Sequence, residues 1–210
     1  MTQGVALLEA GRIVTDTTSC LLRELGSASG GCYVESAICA AGALAGYACQ
    51  AAACVDESGK ISTTTVLQHT VSATGESYFC DERIFFHLIE AEYSVVNIAK
   101  KTCEKFDRKL DIDVEEVINY ARNNVGMVSY GIPRVALAPE RVGSPEAYVR
   151  QLWPMQIATI QPQCPSPASW PILFGLVTNS LLVMAKQSVD PVVGLRLVLE
   201  AAIPMSMIRL

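Results

Sequence analysis

The chain is short of charge, short of histidine and without a paired cysteine motif. Asp, Glu, Lys and Arg make up 18% of the residues, against about a quarter in soluble domains at large. Fewer charges leave fewer positions suited to water. Either burial is unusually complete or a partner covers part of the surface. A homo-oligomer is therefore expected, and a two-fold dimer is the commonest form. The basic residues do not cluster beyond short pairs such as Lys100-Lys101, and the net charge is −5. Both facts argue against nucleic acid as a partner.

Only His69 and His87 supply imidazole. With no CxxC pair and no dense Cys/His cluster, the ligand spacing of a structural zinc site is missing. No GxGxxG, Walker-type loop or GxSxG occurs, so nucleotide binding and α/β-hydrolase chemistry have no motif behind them. Which cofactor the chain would use is unknown from these motifs. The opening MTQGVALLEAGRIV lacks the basic stretch and long apolar run of a secretory signal. The expected compartment is the cytoplasm. There Cys20, Cys32, Cys39, Cys49, Cys54, Cys80, Cys103 and Cys164 stay reduced. No internal repeat or low-complexity tail is evident.

What the chain has in quantity is small residues. In CYVESAICAAGALAGYACQAAAC, Cys32 to Cys54, a helix places Cys32, Glu35, Cys39, Gly42, Gly46, Cys49 and Ala53 on one narrow stripe. All but Glu35 are small, so a second helix can approach closely, with cysteine acting as a small hydrophobe. The uncharged run from Ala37 to Val55 approaches the length of a membrane span. Its side chains are mostly methyl groups or hydrogens, though, and their transfer gains little. No Lys/Arg cluster flanks it. The composition favours a buried central helix over membrane insertion, begun after the Ser27–Gly31 breaker and ended at Asp56–Gly59.

The remaining elements follow from pattern and punctuation. A first helix is expected from about Val5 to Leu25. Thr63–Val71 and Glu76–Cys80 read as a β-hairpin turning at Ser72-Ala73-Thr74-Gly75. Asp81 caps a long helix, Glu82 to Phe106, and Asp113 caps another, Val114 to Asn124, closed by Gly126. Gly131–Ser144 is a loop. Ser144-Pro145 begins a helix, QPQCPSPASWP is irregular, and Pro171–Gln187 and Pro191–Ile203 form a final pair. Arg196 and Glu200 can pair along an exposed stripe of the last helix. No charged residue lies between Gln151 and Ala185, which suits a core or subunit-contact helix. The expected architecture is a single domain, residues 1–210, a mainly α-helical bundle with one small hairpin inserted at about 63–80.

Chemistry has two candidate locations. In Tyr78–Glu90, the carboxyls of Asp81 and Glu90 and the imidazole of His87 are titratable groups among apolar neighbours. They suit an acid/base pair or divalent-metal ligands. Cys80 precedes a helix N-terminus, where a thiol is activated, and His69 can approach it across the hairpin. The plainer readings are a capping Asp81, a core thiol at Cys80 and a core imidazole at His87. In Ser129–Arg134, Tyr130 and the Arg134 fork suit a carboxylate or phosphate, and the plainer reading is an ordinary turn. The sequence is best read as a homo-oligomeric binding or assembly protein, with or without a small-molecule ligand. The alternative is a small-molecule enzyme acting through Asp81, His87 and Glu90.

Overall fold

A computed structural model describes residues 2–29, 33–56, 61–62, 65–106, 110–135 and 141–209, with the side chains of 2–8 and 27–29 excepted. Cys32, the Gly30-Gly31 breaker, the Glu57–Gly59 stop and the Thr63 end of the predicted strand lie outside the described residues. The architecture is mainly α with one antiparallel hairpin. The first helix, α1, runs Thr2–Ser29, longer at both ends than the sequence suggests.

Helix α2, Val34–Ala53, is the axis of the fold. Its stripe behaves as the small residues require. Cys39 and Cys49 are fully buried, and both glycines face α8, Pro191–Met207. A Cβ added at Gly42 would stand 3.0 Å from the Val198 carbonyl oxygen, and one at Gly46 only 2.0 Å from that of Ala202. The backbones of α2 and α8 therefore pass almost in contact. Against another side of α2 lies α7, Trp170–Ala185, entered through a 3₁₀ turn at Pro167–Ser169. Helix α6, Pro145–Ile160, begins at the Ser144 cap with Pro145 in its first turn. Leu21, Ile38, Leu44, Leu152, Phe174 and Leu197 fill the space between these helices.

The hairpin pairs β1, His69–Val71, with β2, Ser77–Phe79, His69 standing opposite Phe79. It is shorter than expected, and its turn falls where the sequence places it.

The predicted helix Glu82–Phe106 is broken. It divides into α3, Glu82–Phe85, a π-helical turn at Phe86–Glu90, and α4, Val95–Cys103. Ser94 and Asn97 are the cause. Ser94 Oγ donates to the Ile89 carbonyl at 2.9 Å and accepts from Asn97 N. The Asn97 amide donates to the Ile89 and Ala91 carbonyls at 3.1 and 2.9 Å. Side chains thus take over carbonyls that a continuous helix would use. Helix α5, Val114–Asn124, has the expected bounds, with Asp113 Oδ1 accepting from the amides of Glu115 and Glu116. Helix α8 continues past Ile203 through Pro204. Glu200 is not on an exposed stripe. It is 4% exposed, which changes what its pairing means.

Candidate functional site

Asp81 sits at the mouth of α3 and is 3% exposed. Its Oδ1 accepts from the Arg83 amide at 3.0 Å and from Arg83 Nε at 2.8 Å. Its Oδ2 accepts from Arg83 Nη2 at 2.7 Å and from the Gln68 amide at 2.9 Å. Arg83 Nη2 also donates to the Val66 carbonyl at 3.1 Å. The Arg83 side chain, with help from the two backbone amides, holds the Asp81 carboxyl down at about 2. At neutral pH this is a saturated carboxylate fastening the segment before the hairpin to α3. It is not poised to take a proton.

His87 lies half-buried in the π-turn, edge-on to the Phe86 ring at 5.4 Å. Burial depresses its pKa, so the imidazole is neutral at neutral pH. Glu90 is exposed at the end of the same turn. No hydrogen bond joins Asp81, His87 and Glu90. Among the described residues no group of three or more His, Cys, Asp and Glu is placed to hold a metal ion. Cys80 is half-buried, and its amide donates to the Gln68 carbonyl at 2.9 Å. That register sets positions 68 and 80 on the hairpin face opposite to His69 and Phe79, so His69 and Cys80 point apart.

The Asp81 clamp has a measurable pH signature. Its folded pKa lies below the unfolded value of about 3.9, so its contribution is complete above that value and fades as pH falls from about 4 towards 2. Asp81→Asn is expected to cost about 1–2 kcal/mol at pH 7, limited by the half-exposed Arg83. Urea midpoints of the two proteins should converge on acidification. A gap that stays constant to pH 2 contradicts the assignment.

The structure brings Tyr130 and Arg134 onto α8. Tyr130 Oη donates to the Pro204 carbonyl at 2.8 Å, and burial pushes its pKa up. Arg134 Nη1 and Nη2 donate to the two Glu116 carboxylate oxygens at 2.6 and 3.1 Å. Its Nε donates to Glu200 Oε1 at 3.1 Å, and its backbone amide donates to Glu200 Oε2. The guanidinium lies over the Tyr120 ring, 3.7 Å from the centroid. The fork expected to receive an external anion is filled by the chain's own carboxylates. Sequence reasoning pairs Glu200 with Arg196, and the structure places the two 3.3 Å apart, but the sequence joins neither Glu200 nor Glu116 to Arg134. The only hint was a lone glutamate in the apolar run of α8.

A different feature remains open. One face of α7 is buried through Leu173, Phe174, Val177, Leu181 and Ala185. The opposite face leaves Ile172, Leu176, Val183 and Met184 between 37% and 62% exposed. From Ile172 to Val183 that face extends about 16 Å. By length and hydropathy alone, Val34–Ala53 and Pro167–Ala185 could each cross a membrane, with 89% and 56% of an 18-residue stretch of each buried inside the chain. The first is therefore a core helix in this fold, whereas the second keeps an uncovered side. The chain matches no protein-family model, no curated protein and no solved structure.

Proposed function

We propose that this is a cytoplasmic, homo-oligomeric binding or assembly protein whose copies meet through the exposed face of α7. The observation that carries the reading is the exposed face with Ile172, Leu176, Val183 and Met184. Ile172, Leu176 and Val183 fall on one line of the helix, with Asn179 and Ser180 between them and Met184 about a third of a turn aside, which is denser apolar exposure than single scattered residues. The helix itself holds no charge. A two-fold contact sets a patch against its own copy, and an uncharged apolar patch meets itself without opposing like charges. That property matters for a chain of net charge −5. Burial of Cys39 and Cys49 inside the α2 stripe fits thiols that serve as packing groups in a reducing compartment. The enzyme reading through Asp81, His87 and Glu90 draws no support from an Asp81 already saturated by Arg83 and Gln68.

Native mass spectrometry of the protein purified without detergent tests this reading. The expected spectrum is dimeric. The double substitution Leu176→Glu, Val183→Glu should give a helical monomer whose thermal midpoint is lowered and no longer rises with protein concentration, as loss of a subunit contact requires. A monomeric native protein at micromolar concentration removes the proposal. Retention in the membrane pellet would assign the α7 face to lipid.

A further inference from the structure

A groove of about 540 Å³ opens between the C-terminal half of α2, the N-terminal approach to the hairpin and α6. Its volume falls within the range of small-molecule sites. Tyr47, Leu67, Phe79, Trp153, Ile157 and Trp170 line it. The aromatic part is fixed in place. Trp153 lies edge-on to Tyr47 at 4.8 Å and to Trp170 at 5.8 Å, and stacks on the buried Phe174 at 5.8 Å. Trp170 Nε1 is committed to the Cys164 carbonyl at 2.9 Å. By contrast, Trp153 Nε1 and Tyr47 Oη have no hydrogen-bond partner among the described residues. A rigid aromatic wall with unspent donors is prepared for a flat molecule carrying acceptors.

The charge is as selective as the shape. Among the residues lining the groove only Arg209 is charged. It is exposed, and among the described residues no carboxylate or carbonyl pairs with it. It differs in this from Arg83, Arg134 and Arg141, each of which holds a carboxylate of the chain. A larger cleft of about 710 Å³ also reaches Arg209, but there Glu76 and Glu146 bring opposing charge, and Glu146 is paired with Arg150.

We propose that the groove binds a small flat aromatic carboxylate, its ring against Tyr47, Phe79 and Trp153 and its carboxylate paired with Arg209. The chain has two tryptophans, Trp153 and Trp170, and both line the groove. Their indole N–H signals in an ¹H–¹⁵N spectrum therefore report on occupancy directly. Titration of the full chain with 2-naphthoate is expected to shift the Trp153 indole signal saturably, with Kd below about 1 mM.

Neutral 2-naphthamide, and 2-naphthoate against Arg209→Gln, should each bind about two- to fivefold more weakly, as loss of a pair to an exposed guanidinium requires. Arg209 is exposed, so Arg209→Gln keeps the fold, and an unchanged spectrum elsewhere verifies it. Trp153→Phe, which keeps a ring, should weaken 2-naphthoate by less than Trp153→Ala. Failure of 2-naphthoate to shift the indole signals overturns the site. Equal binding of acid and amide overturns the role of Arg209. Saturable binding of decanoate without binding of 2-naphthoate overturns the aromatic class in favour of an acyl chain.

Discussion

Gly46→Ala is expected to destabilise the protein by about 3 kcal/mol, the upper end of overpacking costs. The added methyl carbon would stand 2.0 Å from the Ala202 carbonyl oxygen, 2.7 Å from its carbon and 2.8 Å from its Cα. All three are backbone atoms of α8. No rotamer change relieves the contact, so the helix itself must retreat. Retreat loosens the packing of Leu197, Val198, Ala201 and Met205, all buried to within 1%.

For a chain of this size the thermal midpoint should fall by roughly 6–12 °C. Gly11→Ala is the matching control. Gly11 lies within α1, and a Cβ there meets nothing within 4 Å. Alanine should then stabilise by up to about 1 kcal/mol through helix propensity alone. Gly42→Ala, with its nearest contact at 3.0 Å, should lie between the two. Urea denaturation of the three variants gives the order. A Gly46→Ala midpoint equal to that of Gly11→Ala would mean that α2 and α8 are not in backbone contact.

That contact was legible in the sequence because it rests on local periodicity. Small residues three and four apart define a stripe whatever lies opposite, and glycine at two successive turns names the place of closest approach. Helix starts were legible for the same reason, since Asp113 and Ser144 act on amides only two or three residues away. The break between α3 and α4 was not. Phe85, Leu88, Val95 and Val96 keep an apolar pattern through it, and the interruption depends on two side chains, Ser94 and Asn97, choosing local carbonyls over solvent.

The candidate sites divide along the same line. Asp81 could be read as a cap, because a cap is local. Saturation of Arg134 could not, because Glu116 lies 18 residues away and Glu200 lies 66 away. The aromatic groove draws its wall from α2, β2, α6 and α7, and no spacing rule links Tyr47, Phe79, Trp153 and Trp170. Gln156 shows the limit from the other side. It occupies a core position of α6 and is fully buried, with both amide atoms unpaired among the described residues, and nothing in its surroundings explains it.

Glu200→Ala carries the other large expected effect, again about 3 kcal/mol. The carboxylate sits 4% exposed in the middle of α8. It accepts from Arg134 through Nε and the backbone amide, and lies 3.3 Å from Arg196 Nε. Removing it deprives a half-buried guanidinium of one of two carboxylates and leaves the Arg134 amide without its acceptor, and an unsatisfied buried group costs more than the bond was worth. Glu116 is nearly half exposed and cannot take over the buried side of the fork. Glu200→Gln keeps an acceptor oxygen but loses the charge, so it should cost about half as much.

The location of the damage distinguishes this from general core loosening. Residues 130–135 are fastened to α8 at Pro204 through Tyr130 and at Glu200 through Arg134. In Glu200→Ala the Arg134 amide should exchange with solvent far faster than the amides of α2, by opening of that segment alone. Uniformly faster exchange across the bundle would instead make Glu200 a general packing residue. An unchanged urea midpoint would show that Glu116 alone is enough to hold Arg134.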